Sequence, residues 1–388
     1  MHIFLNCLGA STASGLTYLR NVLPHLEQRA DTRTTVAANP FVQGEFKYLR
    51  NVAFLEILGL HGTARRFWFE QMRLPALVRQ VEAEVLISTG NFAVRNSPVP
   101  QILLSGNSLY TSDDFYRDLL SRREYGMWLD TRIRAFVARK SISWADCTVA
   151  PTQAFAHELL RWTGQKVSSI HHGFDRDIFF SDKTKLPSET RAKLNAAKDD
   201  LKLLYVSHYN YFRNFETLFR ALPLIREKLG GRNVRLFLTC KLQDGENPGS
   251  YNTKAARNLV RQLGIEKEVV ELGAIPYRQL HQVYRACDVY VTSSYAETFA
   301  HPVVEAQASG LRIVASDLPV HREVAGDSAL YFSRFSPQEI ALCVLQAANA
   351  CSFKQLSRSA SPVKFSWGSH VDQLIALAGQ LSPRRLAA

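Results

Sequence analysis

Residues 288–316, DVYVTSSYAETFAHPVVEAQASGLRIVAS, restrict the architecture of this chain more than any other stretch. Residues 289–292 are a short β-rich run, and residues 293–300 are polar and loop-like. Pro302 suits the first position of a helix, where its missing N–H and fixed φ cost nothing. Gly310 is a natural helix stop, and residues 312–315 form the next buried strand. The unit is therefore strand–loop–helix–strand. Further strand patterns at 201–206, 234–239, 269–272 and 329–332 alternate with helical segments at the spacing of a parallel sheet. An earlier series, at 2–8, 34–38, 85–88, 101–104, 147–150 and 166–170, does the same. At 388 residues and 46% apolar, the chain is long enough for two α/β cores. Two doubly wound, Rossmann-like domains with a cleft between them are expected.

The chemistry concentrates at the strand ends. The segment 302–309 is apolar or small almost throughout, with Glu305 its only charge, and an ionised carboxylate buried there needs a partner. Glu297 falls where the strand ends and the helix begins, the ligand crevice of an open α/β sheet. Between them the free amides of Phe299, Ala300 and His301 carry the positive end of the helix dipole, a setting for phosphate. The simpler alternative is that Glu305 only complements the dipole and Glu297 is solvated. The loop after Val206, SHYNYFRNFETLFRAL, forms a second site. Asn214 is a helix cap there, and Arg213, just before the helix, offers a permanent charge and a fork suited to phosphate. A surface ion pair is the alternative for Arg213.

The run Glu-Thr-Phe-Ala-His-Pro-Val-Val-Glu over 297–305 resembles the E-x(7)-E signature of retaining nucleotide-sugar glycosyltransferases of family 4, which have the GT-B fold. The resemblance implies that Glu297 contacts the donor sugar and Glu305 holds the ribose hydroxyls. It implies that Arg213 grips the donor diphosphate, with His208 in place of another basic position. The family's usual glycine after the phenylalanine is Ala300 here, and His301 follows; both bear on which sugar is used. Gly15, in the loop after the first strand, carries over as a donor-side position. Asn107, closing the strand at 101–104, carries over as a polar active-site group, against the alternative of a turn-forming asparagine. His171-His172-Gly173-Phe174-Asp175 matches the family's crossover between domains. The implied division is 1–178, rejoined by 365–388, for the acceptor-side domain and 179–364 for the donor-binding domain, with the last helix crossing back. The implied reaction needs no metal or other cofactor: a nucleotide-diphosphate sugar gives its sugar to a glycan or lipid-linked acceptor hydroxyl with retention. Surface polysaccharide or lipopolysaccharide assembly is the setting such enzymes suggest.

Other classes have weaker claims. A dinucleotide fingerprint would need glycines near 9, 11 and 14, where the chain has Gly9, Ser11 and Ser14. Asp175-Arg176-Asp177 is formally D-x-D but sits in the crossover, so no metal site is assigned. The scattered cysteines, without C-x-x-C, read as those of a reduced cytosolic protein, and no apolar stretch approaches a membrane span. A charge of +12 fits phosphorylated substrates or an anionic membrane surface as well as nucleic acid, for which no recognition motif is present. The basic, aromatic segment 117–140, part of a long helix expected over 113–142, reads as a solvated helix face, with a membrane-binding helix as the alternative. A GT-B epimerase or phosphorylase and a non-catalytic partner subunit are the remaining rivals.

Overall fold

The computed structural model describes residues 1–10, 13–60, 62–249, 251–349 and 364–382. Ser11, Cys351 and the basic tail beyond residue 382 lie outside the described residues. The chain divides into two compact units. One comprises Met1–Ser112, Arg122–Gly173 and the chain from Phe365 onward; the other comprises Asp113–Ser121 and Phe174–Lys364.

The first unit holds the strands β1 (His2–Asn6), β2 (Arg33–Ala38), β3 (Val52–Glu56), β4 (Val85–Ser88), β5 (Gln101–Leu104), β6 (Cys147–Ala150) and β7 (Ser168–Ser169). They form one sheet in the order β3-β2-β1-β4-β5-β6-β7, with parallel pairing throughout. Alternate residues enter separate cores, as a pleated strand requires. Ile3, Leu5, Val36 and Ile87 pack with Leu19 and Leu23 of the helix Ala13–Glu27. Phe4, Ala37 and Leu86 pack on the other face with Leu74 and Val78 of the helix Leu74–Gln80. Covering both faces explains the near-continuous apolar strands.

The C-terminal helix, Trp367–Leu381, packs in the first unit against Ala13–Glu27. Val371, Leu374 and Ala378 complete the core there. A histidine pins the join: His370 Nδ1 lies 2.9 Å from the His171 carbonyl, and its Nε2 lies 2.9 Å from the Tyr18 hydroxyl. The carbonyl can only accept, so Nδ1 carries the proton and Nε2 accepts from Tyr18. Gly173 permits the approach, because a Cβ there would stand 2.0 Å from the Trp367 nitrogen.

The second unit holds β8 (Leu201–Tyr205), β9 (Val234–Leu238), β10 (Val269–Glu271), β11 (Val289–Thr292), β12 (Arg312–Ser316) and β13 (Ala329–Phe332). Their order is β10-β9-β8-β11-β12-β13, again parallel. Two parallel, Rossmann-like sheets covered by helices are the α/β architecture of the GT-B fold.

The structure corrects the expectation of one helix over 113–142. It is two helices, Asp113–Ser121 and Tyr125–Trp144, and the shorter one belongs to the second unit. Arg123 between them stands at φ 61°, which a right-handed helix of L-residues cannot continue through.

Candidate active site

In the second sheet the strand order reverses between β8 and β11, which lie side by side. Such a reversal opens a crevice at the carboxyl ends of the two strands, the usual ligand position in open α/β sheets. The loops at 206–214 and 293–300 both leave from there. Of the residues picked out in the sequence, Arg213, His208, Glu297, Phe299, Ala300 and His301 lie on these loops or on the helix start that follows.

Arg213 ends the short turn Tyr211–Arg213, whose cap Asn210 accepts the Arg213 N–H at 3.1 Å. Its guanidinium forms an ion pair with Glu297 and donates to Ser294 Oγ at 3.2 Å. Its Nε is buried without a hydrogen-bond partner among the described residues. The main chain is held just as firmly. The Tyr205 hydroxyl donates to the Arg213 carbonyl, and Ser293 Oγ lies 3.0 Å from the same oxygen. The Tyr295 N–H donates to the Phe212 carbonyl at 2.9 Å, tying one loop to the other. Asn214 occupies the cap position of the helix Phe215–Lys228, but in the left-handed region at φ 54°. Its side chain does not cap the helix amides: it accepts from the Thr217 hydroxyl at 2.7 Å and donates to the Arg334 carbonyl at 2.8 Å.

The helix Asp113–Ser121 braces these loops within the second unit. Asp118 accepts from the Tyr295 hydroxyl at 2.8 Å, and Asp114 pairs with Arg334. The Phe115 and Phe212 rings meet edge-on at 6.3 Å.

Glu305 lies inside the helix His301–Ala308 and is 5% exposed. Its partner is the Tyr284 hydroxyl, at 2.8 Å, from the helix Tyr277–Ala286. Burial raises its carboxyl to about 7, although the Tyr284 hydrogen bond opposes the shift. Phe299 is buried with its ring 4.7 Å from that of His301, whose pKa burial lowers to about 4. Ala300 stands at φ 63° and ψ 56°, a left-handed conformation that glycine takes freely and alanine does not. His208 is exposed at the loop edge; partial loss of water, then the Arg213 charge, lowers its pKa.

Gly15 and Asn107 belong to the first unit. Gly15 lies in the first turn of the helix after β1, and a Cβ there would come 2.8 Å from Ala10 Cα, so the residue is demanded by a close backbone approach. Asn107 caps the turn Ser108–Tyr110 by accepting the Leu109 N–H at 3.1 Å, the turn-forming alternative. Asp175 caps the helix Arg176–Phe179 by accepting the Ile178 N–H at 2.8 Å. Among the described residues, no group of three His, Cys, Asp or Glu side chains could hold a metal ion.

Residues missed in the sequence are Tyr284, Ser294, Tyr205 and the braces Asp114 and Asp118. Ser294 had a signal, as a polar residue two places after a buried strand. Tyr284 had none: it reads as an apolar-face aromatic, and only the fold brings it to Glu305.

Residues 188–349 match the family model described as "Glycosyl transferases group 1". A D-inositol 3-phosphate glycosyltransferase of Corynebacterium aurimucosum is 26% identical over 257 residues, covering 63% of this chain and 59% of that protein. A counterpart from Corynebacterium glutamicum is 24% identical, covering 54% of this chain and 50% of that protein. The chain thus spans between half and three fifths of the length of these relatives. Sucrose-phosphate synthase from Thermosynechococcus elongatus superposes with a TM-score of 0.72 at 15% identity, covering 98% of this chain and 99% of that one. Anabaena HepE in complex with UDP-glucose superposes with a TM-score of 0.69 at 17% identity, covering 98% of this chain and 100% of that one. These likenesses establish a common fold, and the stretch similar to the glycosyl transferases group 1 model, residues 188–349, carries the Arg213–Glu297 pair and Glu305.

Proposed function

We propose that this protein is a retaining, metal-independent glycosyltransferase of the E-x(7)-E type, moving a sugar from a nucleotide-diphosphate donor to an acceptor hydroxyl. The observation that carries the reading is the meeting of Arg213 and Glu297 at the strand-order reversal of a group 1 domain. HepE, which shares the fold and has been solved in complex with UDP-glucose, supports a nucleotide sugar as donor.

The donor diphosphate binds Arg213 and the amides at the start of the helix His301–Ala308. In doing so it competes with Glu297 for the guanidinium, and the freed carboxylate turns to the sugar. Glu305 accepts hydrogen bonds from the ribose. The bond between the sugar C1 and the diphosphate oxygen breaks, and its electron pair leaves on the phosphate. The acceptor oxygen attacks C1 on the same face, and its proton passes to the departing phosphate oxygen. Arg213 and the helix amides stabilise the growing phosphate charge without reorganising. A glycan or lipid-linked acceptor in surface polysaccharide assembly is the proposed setting, by resemblance to other E-x(7)-E enzymes.

NMR of the product tests this reading. The donor's anomeric configuration is expected in the product, with the rate unchanged in EDTA. An inverted product, or activity lost in EDTA and restored by Mn²⁺, contradicts it.

A further inference from the structure

The helix Tyr125–Trp144 of the first unit presents its side chains against the usual rule. It buries mainly small residues: Thr131, Ala135, Ala138, Ser141 and, larger, Ile142. Four of its large apolar residues face water, with Tyr125 61%, Leu129 55%, Ile133 57% and Phe136 64% exposed. At about 100° per residue these four share one arc of the helix, on the side away from the buried positions. Arg132, Arg139 and Lys140, also exposed, fall on the same arc. The helix's one acid, Asp130, falls outside it and pairs with Arg134 at 2.8 Å. The cations sit against the apolar surface: Lys140 Nζ is 5.9 Å from the Phe136 ring centre, and the Arg132 guanidinium is 5.2 Å from that of Trp128.

A solvated helix face would be polar, and this one is apolar and cationic together. The helix Thr63–Met72 continues the pattern, with Trp68 58% and Met72 62% exposed. Its Phe67 shares a core cluster with Ala135 and Ala138, which sets the two helices in one neighbourhood.

We propose that this face docks the protein on an anionic lipid bilayer. The apolar side chains enter the boundary between headgroups and acyl chains, and the guanidinium and ammonium groups meet lipid phosphates. The helix lies along the surface: among the described residues no helix is long and apolar enough to cross a membrane. Charge selects the occupant. A two-fold contact with a second copy would set these cations against themselves. An anionic surface satisfies them, and the chain's charge of +12 draws it there.

The test is flotation of the full chain with phosphatidylcholine vesicles, with and without phosphatidylglycerol as about a third of the lipid. The wild type is expected to float with the anionic vesicles and to stay behind with neutral ones. Ile133→Ser/Phe136→Ser, which alters only exposed side chains, is expected to weaken binding at least about tenfold. Arg139→Glu/Lys140→Glu is expected to do the same, with an unchanged melting temperature as the control for folding. Three outcomes overturn the proposal: no binding of the wild type to anionic vesicles, equal binding by both variants, or a dimer in sedimentation that Phe136→Ser dissolves.

Discussion

At the scale of residues, the two glutamates of the motif are set apart by their surroundings. Glu305 is buried in its helix with Tyr284 as its partner, and its carboxyl is raised to about 7. An acid whose folded pKa lies above its unfolded value loses stability as pH rises through that window. Ionising Glu305 therefore costs the fold about 3 kcal/mol above pH 7. Glu305→Gln should remove that cost, so the ligand-free variant should unfold at higher denaturant than the wild type at pH 8, with the difference vanishing near pH 5. The ribose is unchanged during the reaction, so loss of its hydrogen bonds should appear in donor affinity. At about 1.5–3 kcal/mol for bonds to a charged group, the weakening is roughly 10- to 150-fold. In the proposed reaction Glu297 faces a sugar ring on which positive charge grows, so Glu297→Ala should instead lower kcat chiefly. Paired denaturation curves, calorimetry and steady-state kinetics would separate these effects. Normal donor binding by Glu305→Gln, with lost donor binding and intact kcat in Glu297→Ala, would reverse the assignment.

At the scale of elements, the regular pieces of the fold were legible in the sequence and the exceptions were conformational. The strand–loop–helix–strand of 288–316 is the β11–helix–β12 unit because Pro302 and Gly310 bracket a segment too apolar to be anything but buried. The division at Ser121 was not legible, because Arg123 carries no local sign of its left-handed conformation. The same limit applies to Asn214: a cap residue was readable, its left-handed backbone and its bond to Thr217 were not. Glu297 and Arg213 were readable one by one, whereas their ion pair depends on β8 and β11 being neighbours, a non-local fact. Gly173 shows the same dependence at the join to the last helix. Gly173→Ala should destabilise the first unit by about 3 kcal/mol, since backbone meets the new Cβ and cannot move aside cheaply. Urea denaturation would measure it, and an unchanged midpoint would mean that the crossover does not pack on Trp367.

At the scale of the whole molecule, each unit is a parallel sheet covered on both faces, and the proposed function attaches to the place where strand order reverses. Residues 188–349, the stretch similar to the group 1 model, place a cation, two carboxylates and a helix start on and beside the loops at that place. The central claim is that this assembly holds a nucleotide-diphosphate sugar through Arg213. Calorimetric titration of the full chain with a panel of such sugars tests it most directly, run beside Arg213→Ala. At least one donor should bind the wild type. The variant should bind that donor at least about tenfold more weakly, since a charge-assisted phosphate contact is worth about 1.5–3 kcal/mol. Equal affinity in the two proteins, or no binding of any nucleotide-diphosphate sugar by the wild type, would contradict the account.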